Sequence, residues 1–260
     1  MLASYHNHTT RCKHATGTPE EYLLRAIEAG YSAFGFSCHA PICDGTALSD
    51  ARMSPGKLPD YVSDIRALRD KYGHLIDVHI GLELEYLPMY HNDHMKLYRE
   101  AGVEYLILGQ HYNAPSDIKD QICSFAKYDN NSEYKLYVDL CTEALSTGDF
   151  AYFAHPDVFR FCGDPDFYLQ ESERLILCAI KNTIPLEVNM YGLVDNRHYP
   201  RDSFWELAGK LGAPVVLGRD AHKVERVHPI DEFPRAYAFI EKHGLNLIET
   251  PNLLNGKRII

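Results

Sequence analysis

Apolar residues along this chain gather in short runs separated by longer stretches of helical periodicity. The runs at 2–6, 33–39, 78–86, 105–111, 150–155, 185–190 and 214–222 are mostly apolar and read as seven strands. Near-continuous apolar character, rather than strict alternation, is what parallel strands covered on both faces show. Between them, 19–29, 60–72, 90–101, 132–146, 168–182, 203–211 and 234–242 carry helical patterning. Thr18-Pro19-Glu20-Glu21 joins a capping-box pattern to a proline at the first helical position, and Gly30, Gly73, Gly102, Gly148, Gly212 and Gly244 follow helical runs as stop signals. The repeated strand-helix order predicts a parallel sheet with right-handed crossovers, open or closed into a barrel. No linker, low-complexity tract or short-period repeat divides the chain, so 1–260 reads as one domain of the size of an α/β barrel.

Against this apolar background the polar exceptions fall near one end of the strands. Strand one runs into His6-Asn7-His8, strand two ends at His39, strand three holds Glu83 and Glu85, and strands four and five end at His111 and His155. Strand six reaches Glu187 and Asn189, and strand seven ends in Asp220-Ala221-His222. Catalytic residues of α/β barrels sit at the C-terminal ends of several strands. Satisfied core histidines account for one or two such residues but not for a ring of them, which predicts a polynuclear metal site. Residues two apart on a strand share a face, so His6 and His8 can aim at one ion while His14, beyond the strand end, reaches a neighbouring one. Neutral imidazole suits zinc, iron and nickel. Glu85 shares the face of Glu83 and competes with it as the bridging carboxylate. His74, His79, His91, His94, His228 and His243 lie in helices, loops or strand starts and read as surface or structural, with His198 in a loop near the mouth.

Composition narrows the partners. With 45% hydrophobic residues in 260, the chain can bury a large core. A net charge of −10, from 36 acidic against 26 basic residues, and the absence of a Lys/Arg cluster argue against nucleic acid and anionic membranes. A small diffusible substrate fits better. The seven cysteines show no Cys-x-x-Cys spacing, which suggests reduced thiols and a cytoplasmic setting, and neither a signal-peptide pattern nor a membrane-length apolar run is present.

Six short motifs now carry a resemblance: His6-Asn7-His8-Thr9, Ser37-Cys38-His39-Ala40-Pro41, Gly81-Leu82-Glu83, Gly109-Gln110-His111-Tyr112, His155-Pro156-Asp157 and Gly218-Arg219-Asp220-Ala221-His222. In this order the chain resembles the polymerase and histidinol phosphatase (PHP) superfamily and, within it, histidinol-phosphate phosphatases. The resemblance implies a distorted (β/α)7 TIM-like barrel with three divalent ions, of zinc, iron or manganese type, at the C-terminal mouth. It implies one ion on His6, His8, Glu83 and Asp220, a second on Glu83, His111 and His155 with Glu83 bridging, and a third on His14, His39 and His222. Glu83, His111, Asp220 and His222 would carry the catalysis. Two positions depart from the family pattern, Cys38 where Asp is usual and Arg219 where Ser or Thr is usual. By strand alternation, Cys38 should be a packed thiol and Arg219 should pair a carboxylate behind the strand.

Closely spaced divalent ions polarise phosphoryl oxygens and lower the pKa of bound water. The expected reaction is therefore phosphomonoester hydrolysis by metal-hydroxide attack, and the resemblance implies L-histidinol phosphate as the substrate, giving L-histidinol and phosphate in histidine biosynthesis. No P-loop or Gly-x-Ser-x-Gly elbow points to a side-chain nucleophile. The alternatives are a PHP-type phosphodiesterase or nuclease, a phosphatase of another small metabolite, and a non-enzymatic metal-binding module. The segment 43–60, long and rich in Gly, Ser and Pro, reads as a binding loop or lid. Its Arg52 matches a loop arginine that approaches substrate in the resemblance, and Arg160 and Arg197 are the other basic residues expected at the mouth, where a guanidinium can grip phosphate through paired hydrogen bonds.

Overall fold

The computed structural model describes residues 3–43, 51–113, 123–228 and 230–248. Eight strands form one sheet in chain order, every neighbouring pair parallel: β1 (Ala3–Ser4), β2 (Ala33–His39), β3 (Asp77–Leu84), β4 (Tyr105–Leu108), β5 (Tyr152–Phe153), β6 (Leu186–Asn189), β7 (Pro214–Gly218) and β8 (Asn246–Leu247). The helices that cover it are α1 (Pro19–Glu28), α2 (Leu58–Tyr72), α3 (His91–Ala101), α4 (Asn131–Thr147), α5 (Pro165–Lys181), α6 (Met190–Val194), α7 (Asp202–Lys210) and α8 (Phe233–Lys242). The sheet curls into a distorted α/β barrel. At its mouth a parallel bridge between Asn7 and Ala221 joins the end of the first strand to the end of the seventh. Near its floor β8 instead continues from β7, Pro214 opposite Asn246.

Local chemistry explains most element boundaries. Thr18 and Glu21 form the expected capping box ahead of α1. The fifth helix starts at Pro165, earlier than periodicity suggests, because Asp164 caps it and a proline fits the first turn. Gly30, Gly102, Gly148, Gly212 and Gly244 take the left-handed conformation expected of stop signals, whereas Gly73 ends α2 with φ −62° and needs no special freedom.

Alternation divides each strand between two apolar clusters. Phe34, Phe36, Cys38, Leu82, Leu84, Leu106, Leu108, Leu186, Val188 and Val215 face the helices. Tyr5, Ala33, Tyr105, Ile107, Tyr152, Ala154 and Val216 fill the other face, the barrel floor. Gly81, Glu83 and Glu85 share that second face of the third strand by period two, as do Glu187 and Asn189 on the sixth. The floor thus leads upward into carboxylates and imidazoles.

Candidate metal centre

Glu83 stands at the centre of the mouth and is 1% exposed. Its Oε2 lies 2.8 Å from His39 Nδ1, 3.4 Å from His8 Nε2 and 3.7 Å from His6 Nε2, and its Oε1 lies 2.9 Å from His155 Nε2 and 3.6 Å from His111 Nε2. Asp220 Oδ1 approaches His8 at 3.2 Å, His222 at 3.3 Å and His6 at 3.5 Å. Two glycines make room for this density. A β-carbon at Gly109 would overlap the Glu83 carboxylate, and one at Gly218 would overlap Glu187. Two of the ring's members take left-handed backbone, His155 with φ 33° and Asp220 with φ 51°, the kind of strain that clusters at functional sites.

The opposite ring nitrogens are held from behind. His6 Nδ1 lies 2.8 Å from Glu187 Oε1, His111 Nδ1 2.6 Å from Glu85 Oε1, His8 Nδ1 3.2 Å from Cys12 Sγ, His14 Nδ1 2.6 Å from Cys12 O, and His222 Nδ1 2.9 Å from Asp220 O. Such partners fix the ring and direct its other nitrogen toward a metal. Asn7, pointing the opposite way between His6 and His8, donates to the carbonyl of Gly35 at 2.9 Å and to Ser4 Oγ, which ties the end of β1 in place.

Electrostatics follow from burial and crowding. Burial pushes the carboxyls of Glu83 and Asp220 up, but the surrounding imidazoles outweigh it and hold both well below the usual carboxylate range. Burial pushes His39 down to about 4 and holds His8 well below its ordinary value. At His6 burial is opposed and exceeded by Glu187, Asp220 and Glu83, so that this imidazole is raised.

Whether these residues suit metal ions is answered by what they leave unpaired. His6 Nε2, His8 Nε2, His39 Nδ1 and Glu83 Oε2 are buried with no hydrogen-bond partner. Leaving a buried polar atom unmatched costs about 1–3 kcal/mol, and native structures rarely do so without a ligand or ion. Ligand atoms of four groups lie within 4.8 Å of one another: His6, His8 and Glu83; His6, His155 and Asp220; His39, Glu83 and His111; His8, His39 and His222. The donor set of imidazoles and carboxylates, closed behind and open in front, fits divalent cations.

All nine expected ligands therefore meet at the mouth, but the third grouping differs from the expected one. His8 joins His39 and His222, whereas His14 sits at the rim, its ring 4.6 Å from that of His222 and 5.3 Å from that of His39. Glu85 lies one step outside Glu83, on His111 and Arg52. Cys38 is a buried thiol accepting from Thr9, and Arg219 pairs Glu232 at 3.2 Å while covering Phe233, both turned away from the mouth as alternation requires.

The ring opens into a cavity of about 350 Å³. Arg52 and Arg197 line it and Arg160 does not. What the structure shows of Arg160 is backbone bonding, its N–H to Ser124 O and its carbonyl to Tyr128 N, which stitches the loop after β5 to residues 123–128. His198 also stays out of the lining, its Nε2 2.6 Å from Val158 O. Residues 44–50 of the expected lid lie outside the described residues. The sequence reading passed over Lys223, Phe125, Tyr191 and Tyr199, which complete the wall, and gave Glu187 no role. Glu187 was legible only as an acidic residue on an inward strand position, and Lys223 as the neighbour of His222.

The chain is similar over most of its length to known proteins. The sequence profile of the PHP domain matches residues 4–191. A protein of Deinococcus radiodurans named "probable histidinol-phosphatase" is 30% identical over 232 residues, covering 85% of this chain and 86% of that one. Among solved structures, a histidinol phosphatase candidate from Listeria monocytogenes superposes with a TM-score of 0.72 at 22% identity, over 89% of this chain and 99% of its own. The histidinol phosphate phosphatase of Lactococcus lactis, complexed with zinc, L-histidinol and phosphate, gives 0.69 at 18% identity, over 95% of each chain. With the family profile spanning residues 4–191 and a relative 30% identical over 85% of its length, this chain belongs to the PHP domain family, where it is histidinol-phosphatase-like.

Proposed function

We propose that this chain is a single-unit, cytoplasmic phosphatase that hydrolyses L-histidinol phosphate to L-histidinol and orthophosphate with three divalent ions at the mouth. The observation that carries the reading is Glu83, a buried carboxylate among five imidazoles, with unpaired ligand atoms on His6, His8, His39 and Glu83 itself, beside a cavity lined by Arg197 and Lys223. The kinship with histidinol-phosphatase-like proteins supports the substrate. No helix among the described residues is long and apolar enough to cross a membrane.

His6, His8, Glu83 and Asp220 would hold one ion, Glu83, His111 and His155 a second, and His39 and His222 with His14 a third. Such ions, when bound, polarise phosphoryl oxygens, neutralise phosphate charge and activate water. The chain's own residues supply the rest. Arg197 is oriented for a planar, paired grip: its guanidinium lies 4.1 Å over the Tyr191 ring and its Nη1 donates to Tyr199 Oη at 3.4 Å. Lys223, also in the cavity lining, adds a point charge. Phe125, Tyr191 and Tyr199 give the leaving alcohol an apolar wall and restrict water.

Metal analysis of gently purified protein and a panel of phosphomonoesters and phosphodiesters test this reading. Expected are close to three ions per chain, loss of turnover on chelation with an α/β circular-dichroism spectrum retained, and kcat/KM highest for L-histidinol phosphate. One ion per chain would overturn the trinuclear arrangement, and a preference for diesters would overturn the substrate.

A further inference from the structure

Arg52 matches a loop arginine that approaches substrate in the family, yet its surroundings give it a different task. It is 7% exposed, its Nη2 lies 2.9 Å from Glu85 Oε1, and its Nη1 donates to the carbonyl of Ala40 at 3.4 Å. Glu85, 1% exposed, is committed to His111: Oε1 lies 2.6 Å from the ring's Nδ1, and both carboxylate oxygens accept from the His111 backbone N–H, at 3.0 and 2.8 Å. Ala40 follows His39, and its own N–H donates to the Glu83 carbonyl at 2.8 Å. Arg52 is thus a strut between the backbone beside one imidazole of the ring and the carboxylate that grips another.

We propose that Arg52 is a positioning residue of the metal centre, acting through Glu85 on His111 and through Ala40 on His39, and that it does not bind the phosphate. The proposal rests on the reading of His111 as a ligand. An imidazole that gives its Nε2 to a cation is neutral and donates its Nδ1–H. In the loaded protein His111 therefore cannot balance the charge of Glu85, and Arg52 is the cation in place to do so. Removing one partner of a buried ion pair leaves the other charge uncompensated, which is costly. The comparison with Glu187 is instructive. That carboxylate holds His6 in the same way, but takes its other hydrogen bonds from the His155 backbone N–H at 2.9 Å and the Asn189 amide at 3.5 Å, so that its support comes from the strands themselves. Glu85 has the matching bond from the His111 backbone N–H, but where Glu187 adds a strand amide it adds a charged side chain brought in by a loop.

The test uses full-length protein loaded with zinc, with Arg52→Met, Arg52→Lys, Glu85→Gln and the Arg52→Met/Glu85→Gln pair. Zinc affinity is read by competition with a chromogenic chelator, and kcat, KM and the inhibition constant of inorganic phosphate are read at saturating zinc. Arg52→Met should weaken the most loosely held zinc by roughly 10- to 100-fold, the size expected for losing a partner behind a metal ligand. KM and phosphate inhibition should stay within about twofold of wild type once zinc is restored. The double variant should lose less zinc affinity than the product of the two single losses, because the Arg52–Glu85 contact is shared and only the Ala40 contact remains to be lost in the Glu85→Gln background. Arg52→Lys keeps the charge but cannot span Glu85 and Ala40 together, and should fall between wild type and Arg52→Met; it carries the test if Arg52→Met fails to fold by circular dichroism. Unchanged zinc affinity in the folded variants, with KM and the phosphate inhibition constant raised about tenfold or more, would overturn the proposal and make Arg52 a substrate contact. A wild type that binds zinc but turns over no phosphomonoester would defeat the proposed function and leave the zinc comparison standing.

Discussion

At the floor of the barrel Tyr105, 2% exposed, donates its hydroxyl to the carbonyl of Tyr5 at 2.7 Å and reaches that of Phe36 at 3.2 Å. One inward step up the same pair of strands, where Glu83 lies opposite Ile107 rather than Gly81 opposite Tyr105, a carboxylate just as buried keeps an oxygen with no hydrogen-bond partner. The floor is a finished piece of protein, its polar group matched by the chain itself. The mouth is matched only when something else arrives. Residues at the floor should therefore report on stability, and residues at the mouth on binding and turnover.

The largest effect expected from this contrast is at Glu83. Glu83→Gln should lose on the order of 10³-fold or more in turnover, because in the proposed centre its two oxygens would serve two ions, while Glu85→Gln should lose about 10- to 100-fold as a residue behind His111. Steady-state kinetics at saturating metal decide between them; equal losses would make Glu85 a bridge as well. At the floor, Tyr105→Ala should cost about 3–5 kcal/mol in urea denaturation, as large-to-small changes of buried aromatics do, with metal stoichiometry of the folded protein unchanged. Metal loss without destabilisation would extend the site down to the floor.

Two residues beyond His155 lies the buried Asp157, whose Oδ2 accepts from Arg201 N–H at 2.5 Å and Trp205 Nε1 at 3.0 Å. Burial pushes its carboxyl up to about 6. A folded pKa above the unfolded value of about 3.9 means that the native state holds the proton more tightly. The contribution is present at low pH and is lost as pH rises from about 4 through 6, about 2–3 kcal/mol in all. Asp157→Asn should thus gain on wild type as pH rises from 4 to 7, measured as the difference in unfolding free energy of metal-free protein. A difference that stays flat with pH would show that Asp157 does not titrate there. The smallest effect is at the rim. Arg197→Lys should retain the metals and lower kcat/KM by about tenfold to hundredfold, a loss of roughly 1.5–3 kcal/mol, because lysine lacks the fork. Arg160→Lys should match wild type, and equal losses in both would bring Arg160 into the cavity wall.

Sequence patterning located the seven main strands and most helices and placed histidines and carboxylates at one end of the strands, because strand periodicity and the ends of apolar runs are local properties, whereas the choice of nine among them, Glu83 over Glu85 included, came from the family resemblance. It missed β8, two residues without an apolar run, and α6, which begins at Met190 directly after Asn189 caps it at the end of β6. It also extended the seventh strand to 222, whereas pairing stops at Gly218 before the turned backbone of Asp220. What lies behind the ligands was less legible still. That Cys12 supports His8, or that Arg52 is occupied by Glu85, depends on how separate loops meet in space, and no spacing in the chain encodes it.

The bridge between Asn7 and Ala221, together with the contact of His6 to Glu187, 181 residues away, has a consequence in time. Contacts of such separation form late, since the entropy of closing the intervening chain must be met before they reward it. During synthesis Asp220 and His222 follow only after the strands between β1 and β7 have been made, so for most of its manufacture the growing chain lacks Asp220, the carboxylate beside both His6 and His8. A tight, specific centre becomes available in one step, when the seventh strand docks against the first. An ion held by the proposed centre would therefore load at the end of folding, as a clasp on a finished barrel and not as a seed around which the barrel grows.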